Sequence, residues 1–334
     1  MSYRQAVIDA IEKKQTPLTP WAFEMTGEFE AKYKKERPCD NVERDLESHV
    51  MFGRYKDVRF INETLYEDAF GVQWQLGDDG GSIGTPVNQP VNEDNVDDYV
   101  FPKINEPVLE KGLDAMRKDS EHFRMFRLTY SLYERVWSLF GMTNTLEGMV
   151  LEEDSVTKLF DRVAEYQHKL LDRVLDEDFE GVLFGDDWGD QRGLIMGPKH
   201  FRNLIKPLMK ELFAKVKSKG KYVLLHCCGN IEEIFPDMIE IGLDVYNTVQ
   251  PEIYDLSKIK KEYGKDLTFW GAISTQQLLP NASAEEVYKT SVETIRTLGR
   301  NGGYLFSPTH ALTPDIPIEN VRAMLKAVKD TSWE

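Results

Sequence analysis

Residues 181–187 read GVLFGDD and residues 222–228 read YVLLHCC, and these two stretches set the pattern of the chain. Each is a short run rich in β-forming residues that ends in polar side chains. Between them, apolar residues from 201 to 216 recur at spacings of three and four, which predicts a helix with one buried face. Runs at 242–249, 266–272 and 302–308 continue the alternation. This alternation is typical of βα units around a parallel sheet.

The first half of the chain extends this pattern more weakly. Further strand candidates lie at 17–25, 58–61 and 123–129, and an amphipathic helix is predicted over 156–174. Eight strand candidates within 334 residues predict an α/β fold, a single (β/α)8 TIM barrel that occupies residues 1–334 as one domain. Residues 62–102 lack helical periodicity and include an acidic run, so we expect an inserted hairpin or lid there.

Charge and cysteine content restrict the partners. The chain has 41 Lys and Arg against 57 Asp and Glu, a formal charge of −16. Nucleic acid is therefore not expected as a partner, and polycarboxylate substrates are disfavoured unless the fold builds a local basic pocket. The three cysteines include the adjacent Cys227 and Cys228, so a disulfide scaffold is excluded. Because no apolar stretch reaches the length of a signal or membrane span, we expect a cytoplasmic protein without a membrane partner.

Polar and aromatic residues collect at the expected C-terminal ends of the strands, where a parallel βα barrel carries its active site. Asp186 and Asp187 are candidate catalytic acids or bases, and only one of them should face the barrel mouth because side chains alternate along a strand. No basic residue accompanies Glu24 in its own segment. Besides the aspartates, the candidate substrate-binding residues at these ends are Glu24, Trp188, Asn247, Gln250 and Trp270.

The H-x-C pattern at His226 and Cys228 suggests a metal site. Both side chains should lie on one face of their strand, with Cys227 on the other. Zinc favours imidazole and thiolate ligands, and His310 after the last strand candidate can supply the third ligand of a catalytic site. The alternative is a buried hydrophobic cysteine beside a core histidine. The remaining histidines are expected on the solvated surface: His49, His122, His168 and His200.

Four longer motifs carry a family resemblance: GDDWGDQRGLIMGP from residue 185, LLHCCGNIEEIFPDMIEIGLDVYNTVQPE from 224, TFWGAISTQQLLP from 268 and GGYLFSPTHALTPDIPIENVRAM from 302. In order and spacing they resemble the uroporphyrinogen decarboxylase superfamily, in particular its corrinoid-dependent methyltransferase branch. The resemblance implies a single (β/α)8 barrel with its site at the strand C-termini. Decarboxylating members carry an arginine-bearing segment after the first strand, whereas this chain reads PWAFEMTGEF there, which disfavours an octacarboxylate substrate.

The resemblance also implies a ligand set. In methyltransferase members the histidine and the second cysteine of the H-x-C motif bind zinc, and His226 and Cys228 stand at those positions. Their third ligand is commonly a cysteine ten residues before the asparagine of a P-x-E-N segment. Here Asn320 closes PIEN, and the residue ten before it is His310. A fourth contact from Gln250 or Glu252 stays open.

The activity implied by the resemblance is zinc-dependent methyl transfer. The methyl group would move from a small methyl ether, aromatic ethers included, or from another methyl donor to the Co(I) corrinoid (cobalamin) of a transiently bound partner protein. Asp186 or Asp187 would protonate the departing alkoxide. The alternatives are a decarboxylase-like lyase without metal and transfer from a methylcorrinoid to a thiol or pterin. The methyl donor, the direction of transfer and the oligomeric state stay open.

Overall fold

The strands form two sheets in the computed structural model, which describes residues 1–77 and 84–333. The strands are β1 (Val50–Arg54), β2 (Val58–Phe60), β3 (Leu65–Asp68), β4 (Gln73–Gln75), β5 (Thr85–Pro86), β6 (Phe123–Leu128), β7 (Gly181–Gly185), β8 (Tyr222–His226), β9 (Val245–Val249), β10 (Thr268–Ile273) and β11 (Tyr304–Pro308). The helices are α1 (Tyr3–Ile11), α2 (Gly27–Glu36), α3 (Val42–Asp45), α4 (Glu106–Arg117), α5 (Tyr133–Phe140), α6 (Met142–Leu151), α7 (Asp154–Val174), α8 (Gly197–His200), α9 (Lys206–Ser218), α10 (Phe235–Glu240), α11 (Leu256–Tyr263), α12 (Leu278–Asn281), α13 (Ala284–Leu298) and α14 (Ile318–Asp330).

The larger sheet is parallel and curled. Among the described residues it has seven strands in the order β1-β6-β7-β8-β9-β10-β11. Residues 20–23 lie between its two edge strands: Trp21 forms a parallel bridge to Phe306 in β11, and the Trp21 carbonyl accepts a hydrogen bond of 2.8 Å from the His49 amide next to β1. The fold is therefore TIM-barrel-like, with residues 20–23 at the junction of the two edges.

Burial explains why these segments are strands and helices. Every residue of β7, β9, β10 and β11 is buried, as expected for parallel strands covered on both faces. Helix α7 confirms the amphipathic helix predicted over 156–174. The helix predicted over 201–216 is confirmed as well, although it begins earlier, at α8, and passes through a π-helical turn at Phe201–Ile205 before α9.

Two strand predictions in the first half require correction. The barrel strand expected at 58–61 is wrong, because β2 belongs to a different, antiparallel sheet and its residues are exposed or half-buried. The barrel position is taken instead by β1, which pairs in parallel with β6. The strand expected at 17–25 is reduced to single bridges at Leu18, Trp21 and Met25, since Pro17 and Pro20 have no amide hydrogen to donate to a ladder.

The antiparallel sheet consists of β2, β3, β4 and β5 within the described residues. Trp74 in β4 is buried against Tyr130, which follows β6, with ring centroids 4.9 Å apart. This contact brings the small sheet against the strand ends of the barrel. Residues 78–83, which form part of the expected insertion at 62–102, lie outside the described residues.

The opposite end of the barrel contains a buried histidine, contrary to the expectation that His49 is solvated. Its ring lies 4.1 Å from the Trp21 ring and 4.5 Å from the Tyr3 ring, centroid to centroid. Burial lowers the pKa of His49 to about 3. In the described part of the chain, no helix is both long and apolar enough to traverse a bilayer.

Candidate functional site

Two histidines and a cysteine meet at the C-terminal end of the parallel sheet. His226 ends β8, Cys228 follows two residues later, and His310 follows β11; their ligand atoms all lie within 4.8 Å of one another. The Cys228 Sγ is 3.7 Å from the His226 Nε2. A tetrahedral zinc ion with bonds of about 2.0–2.3 Å separates its ligand atoms by roughly 3.3–3.8 Å. The donor types suit a zinc ion, and the separation between Cys228 and His226 lies within this range.

Asn247 holds the His226 ring in place. The Asn247 Oδ1 is 2.5 Å from the His226 Nδ1, so Nδ1 donates to it and Nε2 keeps its lone pair for a metal. The Asn247 Nδ2 donates to the carbonyl of Trp270 at 3.3 Å. We expected Asn247 and Trp270 to bind substrate; both line the cavity described below, but the Asn247 amide is engaged behind a histidine rather than free for a ligand.

The adjacent cysteines occupy different environments, as strand alternation predicts. Cys227 is fully buried, and its Sγ accepts a hydrogen bond of 3.2 Å from the Trp188 amide. Cys228 faces His226. Burial, followed by the nearby Asp187 and Glu134 carboxyls, raises the pKa of the Cys228 thiol. A cation at this position would offset that effect and stabilise the thiolate.

Asp186 and Asp187 point in different directions. Asp186 is fully buried and accepts hydrogen bonds from the amides of Tyr133 (2.8 Å) and Glu134 (2.7 Å) at the start of α5, and from the Trp188 Nε1 (2.6 Å). It therefore caps a helix, and the structure corrects its expected role as a catalytic group at the mouth. Asp187 lines the cavity, and its Oδ1 accepts from the Cys228 amide at 2.7 Å.

Glu134 is a site residue that sequence reasoning missed. It opens α5, lines the same cavity and is half-buried. Burial, and then repulsion from Asp187 and Asp186, raise its pKa well above the usual range of a glutamate. Burial and the neighbouring carboxyls therefore favour the protonated form of Glu134. Applying the strand-end rule to the segment that follows β6 would have identified it.

Glu24 does have basic partners, contrary to the sequence analysis. Its Oε2 accepts from Arg127 at 2.6 Å and from Arg54 at 3.4 Å, and all three residues line the cavity. Burial alone would raise the pKa of Glu24, but the two arginines lower it below the ordinary value. The arginines reach Glu24 from β1 and β6, so its own segment could not reveal them.

Three other candidates lie away from the cavity. Trp188 is fully buried, packs on Phe201 and donates to Asp186, so it stabilises the fold rather than walling a substrate slot. The Gln250 Oε1 accepts from the Gly229 amide at 2.8 Å. The Glu252 carboxylate accepts from the Ser274 hydroxyl. Neither Gln250 nor Glu252 is therefore positioned as a fourth metal contact.

A cavity of about 530 Å3 is lined by two of the three triad residues, His226 and His310, and by Asp187 and Trp270. It is also lined by aromatic residues from the antiparallel sheet and from the segments after β6: Tyr66, Phe70, Trp74, Tyr130 and Tyr166. We call these five residues the aromatic chamber. The cavity therefore combines reactive polar side chains with an apolar lining.

The family of the chain follows from a comparison with protein-family models. The model described as Uroporphyrinogen decarboxylase (URO-D) matches residues 68–331. The chain belongs to the URO-D family. This membership confirms the resemblance inferred from the four motifs at the level of the superfamily.

Relatives of this URO-D family member carry two kinds of name. The uroporphyrinogen decarboxylase of Coxiella burnetii is 22% identical, covering 97% of this chain and 94% of the relative. A methylated-thiol–coenzyme M methyltransferase of Methanosarcina mazei is 23% identical over 150 residues, which cover 45% of this chain and 38% of the relative. The solved structure of a methyltransferase from Methanosarcina mazei aligns over 99% of both chains with a TM-score of 0.77 at 16% identity. Both kinds of relative are enzymes, and the structural likeness supports the fold.

Proposed function

We propose that this URO-D family member is a zinc-dependent methyltransferase that moves a methyl group from a small methyl ether to the Co(I) corrinoid of a partner protein. The observation that carries the proposal is the His226, Cys228 and His310 triad, two of whose residues, His226 and His310, line a cavity large enough for a small molecule. The methyltransferase relatives support the class of reaction. We place the protein in the cytoplasm as a single barrel domain, with the region 62–102 acting as a lid.

The zinc ligands of the proposal are His226, Cys228 and His310, with Asn247 fixing the ring of the first. Bound there, zinc would supply Lewis acidity toward the ether oxygen of the methyl donor and so make it a better leaving group. The protein contributes orientation, because the Asn247 hydrogen bond selects the His226 tautomer that can coordinate.

Glu134 and Asp187 form the acid of the proposed reaction. When the methyl group leaves an ether, the departing oxygen gains negative charge and needs a proton. Glu134 lines the cavity, and its burial beside two carboxyls raises its pKa and so favours its protonated form. Asp187 lies between Glu134 and Cys228, where it can relay or stabilise that proton. Glu134 replaces Asp186 in this role, since Asp186 is committed to capping α5.

The methyl acceptor must come from outside the chain. The cavity of about 530 Å3 is of the size that suits a small substrate rather than a substrate together with a macrocycle. The partner would therefore dock at the strand-end mouth, transiently, so that its cargo can be exchanged.

A decarboxylase-like activity is the second candidate, favoured by the near full-length matches to uroporphyrinogen decarboxylases. Arg54 and Arg127 lie at the mouth, where they can bind carboxylates. Both, however, contact Glu24, which offsets their charge. This candidate predicts no bound zinc, so metal content separates the two.

The first test measures zinc in matched cysteine variants. We expect about one zinc per wild-type chain and per Cys227→Ala chain, and none in Cys228→Ala, by elemental analysis of the purified proteins. The second test is optical: wild-type protein, a Co(I) carrier protein and a panel of methyl ethers should yield the spectrum of methyl-Co(III). Equal metal loss in both cysteine variants, or decarboxylation of a porphyrinogen without any methyl transfer, would contradict the proposal.

A further inference from the structure

The backbone amides of residues 227–231, which follow β8, all donate hydrogen bonds. Two of the acceptors are main-chain carbonyls, that of Asn247 at 2.6 Å and that of Asp190 at 2.7 Å. The other three acceptors are side chains that follow β7 or β9: Asp187, Gln250 and Tyr254. We call residues 227–231 the ligand loop, because they contain Cys228. The ligand loop is therefore tied to the neighbouring segments at every one of its amides.

Tyr254 bridges two residues of the ligand loop. Its hydroxyl donates to the Gly229 carbonyl at 2.7 Å and accepts from the Ile231 amide at 3.0 Å. The Tyr246 hydroxyl lies 2.9 Å from the Tyr254 hydroxyl, and it can donate to the Cys227 carbonyl at 3.1 Å. Both tyrosines are buried. A hydroxyl can donate and accept at once, so Tyr254 satisfies a carbonyl and an amide of the same loop.

Gly229 is held from two directions. Its amide donates to the Gln250 Oε1 at 2.8 Å. Its φ of +82° is in the left-handed region, and a Cβ at this position would overlap the carbonyl carbon of Gly189. Glycine is therefore required for the conformation and for the close approach. The ligand loop packs directly on the backbone that follows β7 and is tied at the same residue to the segment that follows β9.

Cys228 lies between the residues that these contacts hold. Its own amide donates to Asp187 at 2.7 Å, and its Sγ is 3.7 Å from the His226 Nε2, a separation suited to two ligands of one zinc ion. A loop that its own hydrogen bonds already order loses little conformational freedom when an ion binds. A loose loop would have to be ordered by the ion, at the expense of affinity.

We infer that Gln250 and Tyr254 are positioning residues for the metal site: they hold the ligand loop so that Cys228 stands at coordinating distance from His226 before any metal binds. The inference rests on the proposed function for the identity of the metal, which is zinc. Gln250, expected from the sequence to contact substrate or metal, instead acts through the backbone of the loop. Neither Gln250 nor Tyr254 is among the described residues that line the cavity and its aromatic chamber, so their substitution leaves the lining unchanged.

Amide hydrogen exchange of the metal-free full chain tests whether the loop is ordered in advance. In wild type, peptides that span residues 227–231 should exchange slowly, as buried strands do. Tyr254→Phe keeps the ring and removes the hydroxyl, and Gln250→Leu removes the acceptor at similar size. Each should accelerate exchange of the loop by about fivefold or more, because one hydrogen bond of ordinary strength is lost. Wild-type exchange as fast as that of an exposed loop, or no acceleration in either variant, would overturn the inference.

A competitive chelator titration of the same proteins tests whether the contacts serve metal binding. Loss of a group that orients a metal ligand commonly reduces metal affinity by about 10–100-fold, and we expect a loss of this size in Tyr254→Phe and Gln250→Leu. Gln250→Glu retains an oxygen that can accept from the Gly229 amide, so it should bind zinc at least as tightly as wild type. Weak zinc binding in Gln250→Glu, equal to that of Gln250→Leu, would contradict the role of this acceptor.

Tyr304→Phe is the matched control. Tyr304 is also buried, and its hydroxyl donates to a glycine carbonyl, that of Gly271, at 2.8 Å. It begins β11, at the end of the strand away from the ligand loop, so the variant should lose stability and keep the zinc affinity of wild type. Equal loss of zinc affinity in Tyr304→Phe and Tyr254→Phe would overturn the inference. Zinc binding by wild type that neither loop variant weakens would refute the inference alone, whereas a wild-type chain that binds no zinc would refute the proposed function and the inference with it.

Discussion

Replacing Asp186 by asparagine exchanges one carboxylate oxygen for an amide nitrogen in a fully buried site. The two oxygens accept hydrogen bonds from three donors: the amides of Tyr133 and Glu134 and the Trp188 Nε1. The asparagine side chain can adopt two orientations. In the first, its oxygen takes the place of Oδ2 and keeps the hydrogen bonds from Tyr133 and Trp188, while its amide nitrogen lies against the Glu134 N–H. In the opposite orientation the hydrogen bonds from Tyr133 and Trp188 are both lost, so the first orientation destabilises the fold less.

The magnitude follows from this count. One bond to a charged acceptor is lost, and two buried donors face each other, which destabilises the fold by about 3 kcal/mol. Part of this loss is the N-cap of α5, worth about 1 kcal/mol. For a chain of this size we expect Tm to fall by about 5 °C. Thermal unfolding followed by circular dichroism, at pH 7.5 and fixed protein concentration, measures the difference.

Asp187→Asn is the matched comparison. Its Oδ1 accepts from the Cys228 amide, and an asparagine oxygen can do the same, so Tm should stay within about 1 °C of wild type. Methyl transfer should fall in Asp187→Asn because the variant removes a carboxylate from the cavity. An Asp186→Asn protein as stable as wild type but inactive would refute the assignment of Asp186 to the fold and of Asp187 to the site.

Three further variants test the site and the buried histidine. Glu134→Gln should keep zinc and lower single-turnover formation of methyl-Co(III) by about 10²–10⁴-fold; an unchanged rate would remove Glu134 as the acid. Asn247→Ala should weaken zinc binding by His226 about 10–100-fold in a competitive chelator titration, and unaltered affinity would contradict the tautomer argument. Because the folded pKa of His49 is about 3 against 6.5 for the free side chain, the unfolded chain binds the proton first, and stability should fall by about 1.4 kcal/mol per pH unit below about 6.5. Denaturant unfolding at several pH values should show this slope reduced in His49→Phe; the same slope in both proteins would count against it.

The features that were predicted correctly from the sequence are those that depend on a local pattern of residues. The βα units from β7 to β11 have buried runs of regular spacing, and alternation along β8 is enough to separate Cys228 from Cys227. Strand β1 was missed because VMFGR is short and ends in a charge. Its Gly53 breaks the β-forming run; a Cβ there would lie 2.5 Å from the Met116 Cε, so the flexible Met116 side chain packs against this glycine.

The site residues that sequence reasoning misplaced depend on distant contacts. Glu24 meets Arg127 from 103 residues away, and Asp186 caps Tyr133 from 53 residues away. No local pattern predicts which strand end turns toward which helix, since that depends on how the sheet curls. Glu134 follows the same rule, because its raised pKa arises from burial and then from Asp187 and Asp186, which follow the neighbouring strand β7.

The junction at residues 20–23 has a consequence for synthesis on the ribosome. Trp21 pairs with Phe306, so residues 20–23 acquire this neighbour only after the long stretch of chain between the two residues has been synthesised. At ordinary translation rates this wait lasts about 15 to 60 s. During that interval the apolar side chains of Trp21 and Phe23, buried in the finished protein, have no permanent cover. A chaperone that holds the nascent chain should therefore matter most for residues 20–23, and its removal should cause losses in yield rather than in the activity of the molecules that fold.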